Sequence, residues 1–256
     1  MRIVFYTNRS YQQDPLFNYI YAHVAAHYPD HHIVAAIPKR TGKLSRHFKK
    51  FRKLGLLQSL EVLSSYPLAS HFLKKDRAEL NLCLNALARP QCDLEKTPSA
   101  TVHSINGPDA VETIRSLSSD IILQSGAGIL RPQIFQLAKI ATLNMHHGIA
   151  PLIKGMSSIY WGLYEGKPEW LGATIHEVDE GIDTGRVLAY APIKQQGDER
   201  FPQLFCKATE EGVVQLLQVL KRLEKGERWT VPLPPGTHEY RSTISGWKLL
   251  RIKLRN

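Results

Sequence analysis

Apolar positions along this chain come in two rhythms. Residues 2–7 (Arg-Ile-Val-Phe-Tyr-Thr) form a short, β-prone and nearly continuous apolar run, as expected of a strand buried on both faces. Over 16–27 the apolar residues Leu16, Tyr19, Ile20 and Val24 recur at helical spacing, and 33–37 is a second short run stopped by Pro38. Strand, helix and strand in so short a stretch make a βαβ unit, the opening of a doubly wound sheet.

The same alternation resumes after residue 100. Residues 101–103 begin a strand, and Asn106-Gly107-Pro108-Asp109 is a turn running into a helix to about 117, with Pro and Asp suited to its first turn. Residues 121–123 and 142–146 are strands, with a short helix from 131 to 138 between them. Residues 157–165 read as a helix closed by Gly166, a residue suited to a C-cap. Strands at 171–178 and 187–193 flank a turn-rich loop, and 201–225 is a long helix. The predicted fold is α/β: a Rossmann-like, doubly wound, mostly parallel sheet with helices on both faces.

Between these blocks the pattern is weaker. Leu44, Phe48, Phe51 and Leu54 suggest an amphipathic helix in a basic stretch, and 76–100 reads as helices and loops rather than a separate domain. The expected organisation is a catalytic domain over 1–197, with an insertion of uncertain form at 39–100, followed over 198–256 by the long helix and a Pro-rich, basic tail. No internal repeat is visible.

Composition narrows the function classes. The 256 residues are 43% hydrophobic and 22% charged, an ordinary globular balance. Cys83, Cys92 and Cys206 fit no zinc or redox spacing, so they read as free thiols in a reducing compartment. No run approaches the roughly 18 apolar residues that a spanning helix needs, and the start lacks the form of a secretion signal. The expectation is a cytoplasmic protein without a membrane partner. The net charge of +10 favours anionic partners. The excess concentrates at Lys39, Arg40, Lys43, Arg46, Lys49, Lys50, Arg52 and Lys53, and again at Arg251, Lys253 and Arg255.

Three short stretches carry candidate chemistry. In Leu143-Asn144-Met145-His146, strand alternation turns Asn144 and His146 to one face and Leu143 and Met145 to the other. Crevices at strand C-termini are where open α/β sheets bind ligands. The segment 179–185 packs three acids and two glycines into a tight polar turn without the spacing of a calcium loop. Ser125-Gly126-Ala127-Gly128 follows a strand and lets a ligand approach the backbone, but it lacks the third glycine of a dinucleotide fingerprint. Taken singly, each is as well explained by a solvated strand end or loop.

In this order and spacing the three resemble the folate-dependent formyltransferase family, which includes glycinamide ribonucleotide, methionyl-tRNA and sugar N-formyltransferases. The resemblance covers roughly residues 100–195. It rests on Ser125–Leu130, Leu143-Asn144-Met145-His146, Pro151, Gly155 and the stretch His176–Gly185 with its Asp179-x-Gly181-x-Asp183-Thr184-Gly185 loop. It implies formyl transfer from 10-formyltetrahydrofolate to an amine, with Asn144, His146 and Asp183 as catalytic residues. Asn144 and a protonated His146 would stabilise the oxyanion, and Asp183 would partner the imidazole and keep it charged. It further implies that Ala127, Gly128, Ile129 and Leu130, together with Val178, Asp179, Glu180, Gly181 and Ile182, hold the cofactor's pterin ring.

Departures from the family pattern shape the choice of acceptor. Thr7–Gln13 replaces the glycine-rich phosphate turn of the glycinamide ribonucleotide enzymes, although Arg9 is available to an anion. About thirty residues follow the long helix, too few for the C-terminal barrel of the methionyl-tRNA enzymes. The expected acceptor is therefore a small, anionic or nucleotide-linked amine, first an amino sugar nucleotide, with nucleic acid set aside as a partner. Ser157, Ser158 and Tyr160 are candidates for its pocket, whereas Trp161 reads as helix core. His147 raises a metal site with His176 and Asp183, but strand alternation turns it away from His146, and no metal is expected. The alternatives are a methionyl-tRNA or glycinamide ribonucleotide formyltransferase and, in another class, a non-catalytic folate- or partner-binding module.

Overall fold

The computed structural model describes residues 1–8, 10–37, 60–61 and 63–255. Arg9 and the basic stretch 39–53 lie outside the described residues. The first βαβ unit consists of β1 (Ile3–Asn8), α1 (Pro15–His27) and β2 (His31–Ala36). Asp14 caps α1 by accepting hydrogen bonds from the N–H groups of Leu16 (3.1 Å) and Phe17 (3.4 Å), with Pro15 in the first turn. Such a cap stabilises a helix by about 1 kcal/mol.

There follow α2 (Tyr66–Ala86), β3 (Ser99–Val102), α3 (Pro108–Leu117), β4 (Ile121–Gln124), the short α4 (Pro132–Phe135) and β5 (Ala141–His146). Then come β6 (Ile153–Gly155), α5 (Ser158–Glu165), β7 (Gly172–Glu177), β8 (Val187–Pro192), α6 (Phe201–Glu224), β9 (Glu239–Arg241) and α7 (Gly246–Arg255). Gly166 closes α5 in the left-handed region, as its position in the sequence suggests.

Seven strands form one sheet in the order β3-β2-β1-β4-β5-β7-β8. The first five are parallel, and β7 and β8 extend them antiparallel. The predicted doubly wound architecture is present. The chain winds outward from β1 to β3 and returns to place β4 on the other flank of β1, which sets a switch point at the C-terminal ends of the strands.

Strand alternation divides the core in two. Ile3, Phe5, Ile33, Leu123, Leu143 and Met145 pack with Phe17, Tyr21 and Val24 of α1 and Val213, Leu216 and Leu220 of α6. Val4, Tyr6, Val34 and Ile122 face the opposite way, onto Ala110 and Ile114 of α3. Each such side chain contributes about 1.5–3 kcal/mol when fully buried. A third cluster joins Tyr160, Trp161 and Trp170 to Ile244, Leu249 and Ile252 of the tail. Asp76 of α2 anchors this cluster, taking hydrogen bonds from Tyr160 Oη (2.7 Å) and Lys253 Nζ (2.5 Å). Among the described residues no helix is long and apolar enough to cross a membrane, and all three cysteines are unpaired thiols.

Candidate active site

Because Leu143 and Met145 face α1 and α6, Asn144 and His146 are presented on the other side of β5, where a cavity of about 360 Å³ opens. Its wall includes Asn144, His146, His176 and Asp183. The loop after β7 returns Asp183 to the strand, and Asp183 Oδ2 stands 3.3 Å from His146 Nδ1. The same oxygen accepts a hydrogen bond from the N–H of Gly155 at 2.8 Å. Asp183 itself has a φ of 50°, in the left-handed region, which aspartate tolerates better than most residues because its short side chain can bond locally.

The loop is held by its own polar atoms. Asp179 Oδ1 accepts from Gly181 N–H at 3.0 Å and from Thr184 Oγ1 at 2.7 Å. The opposite wall hangs from side-chain amides: Gln124 Nε2 donates to the Gly128 carbonyl (2.8 Å), and Asn106 Nδ2 to the Ile129 carbonyl (3.0 Å). Gly148 is required where the chain leaves β5. Its φ is +154°, and a Cβ there would lie 2.8 Å from His146 Nε2.

His176, the first residue of the family-like stretch His176–Gly185, joins the cluster. It sits on β7 directly across from Asn144 in the antiparallel register. Its Nδ1–H donates to the Glu177 carbonyl at 2.7 Å, which leaves Nε2 to accept from Asn144 Nδ2 at 3.1 Å. His176 Nε2 is also 3.6 Å from Asp183 Oδ1. Its partnership with Asn144 depends on a pairing between distant strands, which spacing along the chain does not show. Among the described residues, no group of three or more His, Cys, Asp or Glu is arranged to hold a metal ion.

Electrostatics assign the charges. Burial raises the Asp183 carboxyl, but the neighbouring rings of His176 and His146 and the Gly155 N–H together hold it below the usual carboxylate range. Burial lowers the His146 imidazole, and this outweighs the upward pull of Asp183; His176 lowers it further. His146 is therefore neutral near pH 7, whereas the sequence reading expected the carboxylate to keep it charged. Removing the ring from water costs the imidazolium more than one partly solvated carboxylate returns. With Nδ1–H directed at Asp183, Nε2 is left as an acceptor, and Ser158 Oγ lies 3.2 Å from it.

The cofactor candidates divide. Gly128, Ile129, Leu130, Val178, Asp179, Gly181 and Ile182 line the cavity. Ala127 is instead packed into the core beneath α3, and Glu180 is exposed outside the lining. Among the acceptor candidates, Ser158 is buried behind His146. Ser157 precedes α5 with a left-handed φ of 62°. Tyr160 is turned away, its ring stacked on Phe201 and its hydroxyl bonded to Asp76. Gln124, Met156 and Tyr240 also line the cavity. His147 leaves on the opposite face, stacked on Phe205 with ring centroids 3.9 Å apart and bonded to Thr209 Oγ1 at 2.9 Å.

Comparison with known proteins fits this geometry. The sequence profile described as "Formyl transferase" matches residues 73–220. The chain is 33% identical over 135 residues to methionyl-tRNA formyltransferase from a Sulfurihydrogenibium species, covering 52% of this chain and 42% of the relative. It is 31% identical over 136 residues to the enzyme of the same name from Kosmotoga olearia, covering 53% and 42%. The chain thus spans about two fifths of the length of the curated relatives it matches.

Solved structures share the fold at low identity. HypX from Aquifex aeolicus in complex with tetrahydrofolic acid has a TM-score of 0.55 and 16% identity, over 96% of this chain and 30% of that one. A sugar N-formyltransferase from a Shewanella species has a TM-score of 0.56 and 13% identity, over 94% and 76%. Setting nucleic acid aside as a partner does not stand, because the curated relatives are named for a tRNA substrate. That expectation rested on the length of the tail, whereas the family profile covers residues 73–220, which supply most of the cavity wall. The chain belongs to the formyl transferase family.

Proposed function

We propose that this protein transfers a formyl group from 10-formyltetrahydrofolate to an amine, and that the amine is the one borne by methionyl-tRNA. The observation that carries the reading is the meeting of Asn144, His146, His176 and Asp183 in one cavity of a formyl transferase chain. The acceptor is suggested by the curated relatives and agrees with a net charge of +10, which attracts a polyanion. The same charge suits a diphosphate, so a nucleotide-linked amino sugar is the second reading.

The cavity suits a planar, hydrogen-bonding heterocycle. Its walls at 128–130, 178–179 and 181–182 include the exposed side chains of Ile129 and Ile182, and its volume lies in the range of small-molecule sites. When bound, 10-formyltetrahydrofolate supplies the one-carbon unit at the oxidation level of formate. Asn144 donates its amide N–H to the oxygen on which negative charge develops. His146, neutral and buried, accepts the proton lost by the attacking amine and passes it to the nitrogen that gives up the formyl group. Asp183 fixes the tautomer through Nδ1 and stabilises the imidazolium once it forms, and His176 orients the Asn144 amide.

The direct test incubates the protein with 10-formyltetrahydrofolate and methionyl-tRNA, with a nucleotide-linked amino sugar in parallel, and follows tetrahydrofolate release and the N-formyl product. Transfer to methionyl-tRNA that weakens steeply with added salt is the expected result. Absence of transfer to any amine by protein that binds 5-formyltetrahydrofolate would leave the chain a binding module.

A further inference from the structure

The family profile ends at residue 220, but the wall of the cavity continues beyond it. After α6 the chain returns as β9, and Glu239, Tyr240 and Arg241 pair in parallel with Ile153, Lys154 and Gly155. Both ends of the ribbon are pinned: Glu239 N–H donates to the Leu152 carbonyl (3.0 Å), and Met156 N–H donates to the Arg241 carbonyl (2.9 Å). This places Tyr240 in the cavity wall beside Gly155 and Met156. The ring rests on Gly155, where the backbone has a φ of +96° and an added Cβ would stand 2.9 Å from Tyr240 Cε2. The N–H of that same glycine is held by Asp183. The ring is thus fixed next to the anchor of the carboxylate.

Despite this anchoring, Tyr240 is 57% exposed and Met156 is 58% exposed. A scattered exposed tyrosine needs no explanation. One pinned by a strand at the mouth of a catalytic cavity, next to a second exposed apolar side chain, is a built surface. Neither side chain belongs to the segments 128–130 and 178–182 assigned to the cofactor, which leaves the pair to the acceptor. The protein carries a net charge of +10, and an exposed aromatic ring on a basic protein is a usual means of holding an unpaired nucleotide end.

We propose that Tyr240 is the acceptor platform of this enzyme, on which the terminal base of methionyl-tRNA stacks while its amine reaches His146. This rests on the formyl transfer proposed above and adds a residue that sets acceptor specificity from outside the family's matched region. The contact is made by the face of the ring, so the hydroxyl is dispensable.

The test uses the full chain with Tyr240→Ala, Tyr240→Leu and Tyr240→Phe. It measures the Kd for 5-formyltetrahydrofolate and the steady-state kinetics with methionyl-tRNA. The Ala and Leu variants should raise KM for methionyl-tRNA about tenfold with little change in kcat, while Phe retains the wild-type value. The Kd for 5-formyltetrahydrofolate should not move in any of them. An unchanged KM in the Leu variant overturns the platform, and a parallel loss of 5-formyltetrahydrofolate affinity reassigns the ring to the cofactor and overturns it equally. Wild-type protein that formylates a nucleotide-linked amino sugar and not methionyl-tRNA removes the stacked base while leaving formyl transfer in place. Failure of the wild type to bind 5-formyltetrahydrofolate removes the underlying function and the platform with it.

Discussion

The two faces of β5 carry neighbouring histidines with opposite fates. On the cavity face, His146 has Asp183 at one ring nitrogen and Ser158 at the other. On the reverse face, His147 stacks on Phe205 and donates from Nε2 to Thr209, whose own hydroxyl donates to the Phe205 carbonyl at 2.8 Å. Burial lowers the pKa of both rings. Only His146 has a carboxylate partner to oppose that effect, while its proximity pushes His147 down further, to about 3. Burial thus makes a histidine neutral. A placed carboxylate makes a neutral histidine able to accept a proton and hold it.

The sharpest way to break this contrast is to remove the carboxylate. Asp183→Asn keeps the shape and the Gly155 hydrogen bond but loses the charge that stabilises the imidazolium on His146. Turnover should fall about 10²- to 10⁴-fold, with 5-formyltetrahydrofolate still bound. The same assay on Asn144→Ala should show about a 10²- to 10³-fold loss, the usual cost of one oxyanion donor. An Asp183→Asn variant within a few fold of wild type would mean that the cavity face differs from the reverse face in position only.

Much of this contrast was legible before any coordinates. Alternation along 143–147 already separates Asn144 and His146 from Met145 and His147, because a strand's period of two needs no tertiary information. The parallel strands and α1 announced themselves as continuous apolar runs and a periodic face, with boundaries that shift by only a residue or two. The partners of those residues were hidden. His176 meets Asn144 only through the antiparallel register of β5 and β7. Tyr240 reaches the cavity through a three-residue strand with no periodicity to detect. The α2 helix was blurred for a different reason: its two fully buried positions are Leu84 and a charged residue, Asp76. An apolar pattern cannot register an aspartate that is buried because Tyr160 and Lys253 satisfy it.

A second prediction loads the reverse face. Gly212 of α6 sits against β5 and β7, where an added Cβ would lie 2.7 Å from Met145 Sδ and 3.0 Å from Ala173 Cβ. Gly212→Leu should cost about 1–3 kcal/mol through overpacking, read as a Tm lowered by roughly 2–4 °C per kcal/mol. Met145 lies between Asn144 and His146 in the chain, so the strain has a direct route to the cavity. If the two faces are separable, kcat in the folded variant should hold within a few fold. A loss comparable to that of Asp183→Asn would show that catalysis depends on the packing behind the strand as much as on the carboxylate before it.

The smallest effect tests the neutral histidine itself. His147 is depressed in the folded protein relative to the unfolded chain, where an ordinary imidazole titrates near pH 6.5. Below that pH the unfolded chain binds a proton that the native state refuses, so this group's contribution is complete above about pH 6.5 and declines as the pH falls toward its folded value. The slope is at most about 1.4 kcal/mol per pH unit for one such group, and the partial exposure of His147 narrows the pH window over which it acts. His147→Phe preserves the stack on Phe205 and leaves the Thr209 hydroxyl donating to the Phe205 carbonyl, so at pH 7.5 stability should change by no more than about 1 kcal/mol. Denaturant titrations between pH 7.5 and 4.5 should show the variant losing less stability than the wild type on acidification. His146 retains its own acid dependence in both proteins. Equal slopes would mean that His147 is protonated as readily in the folded protein as in the unfolded one, and the distinction between the two faces of β5 would then rest on Asp183 alone.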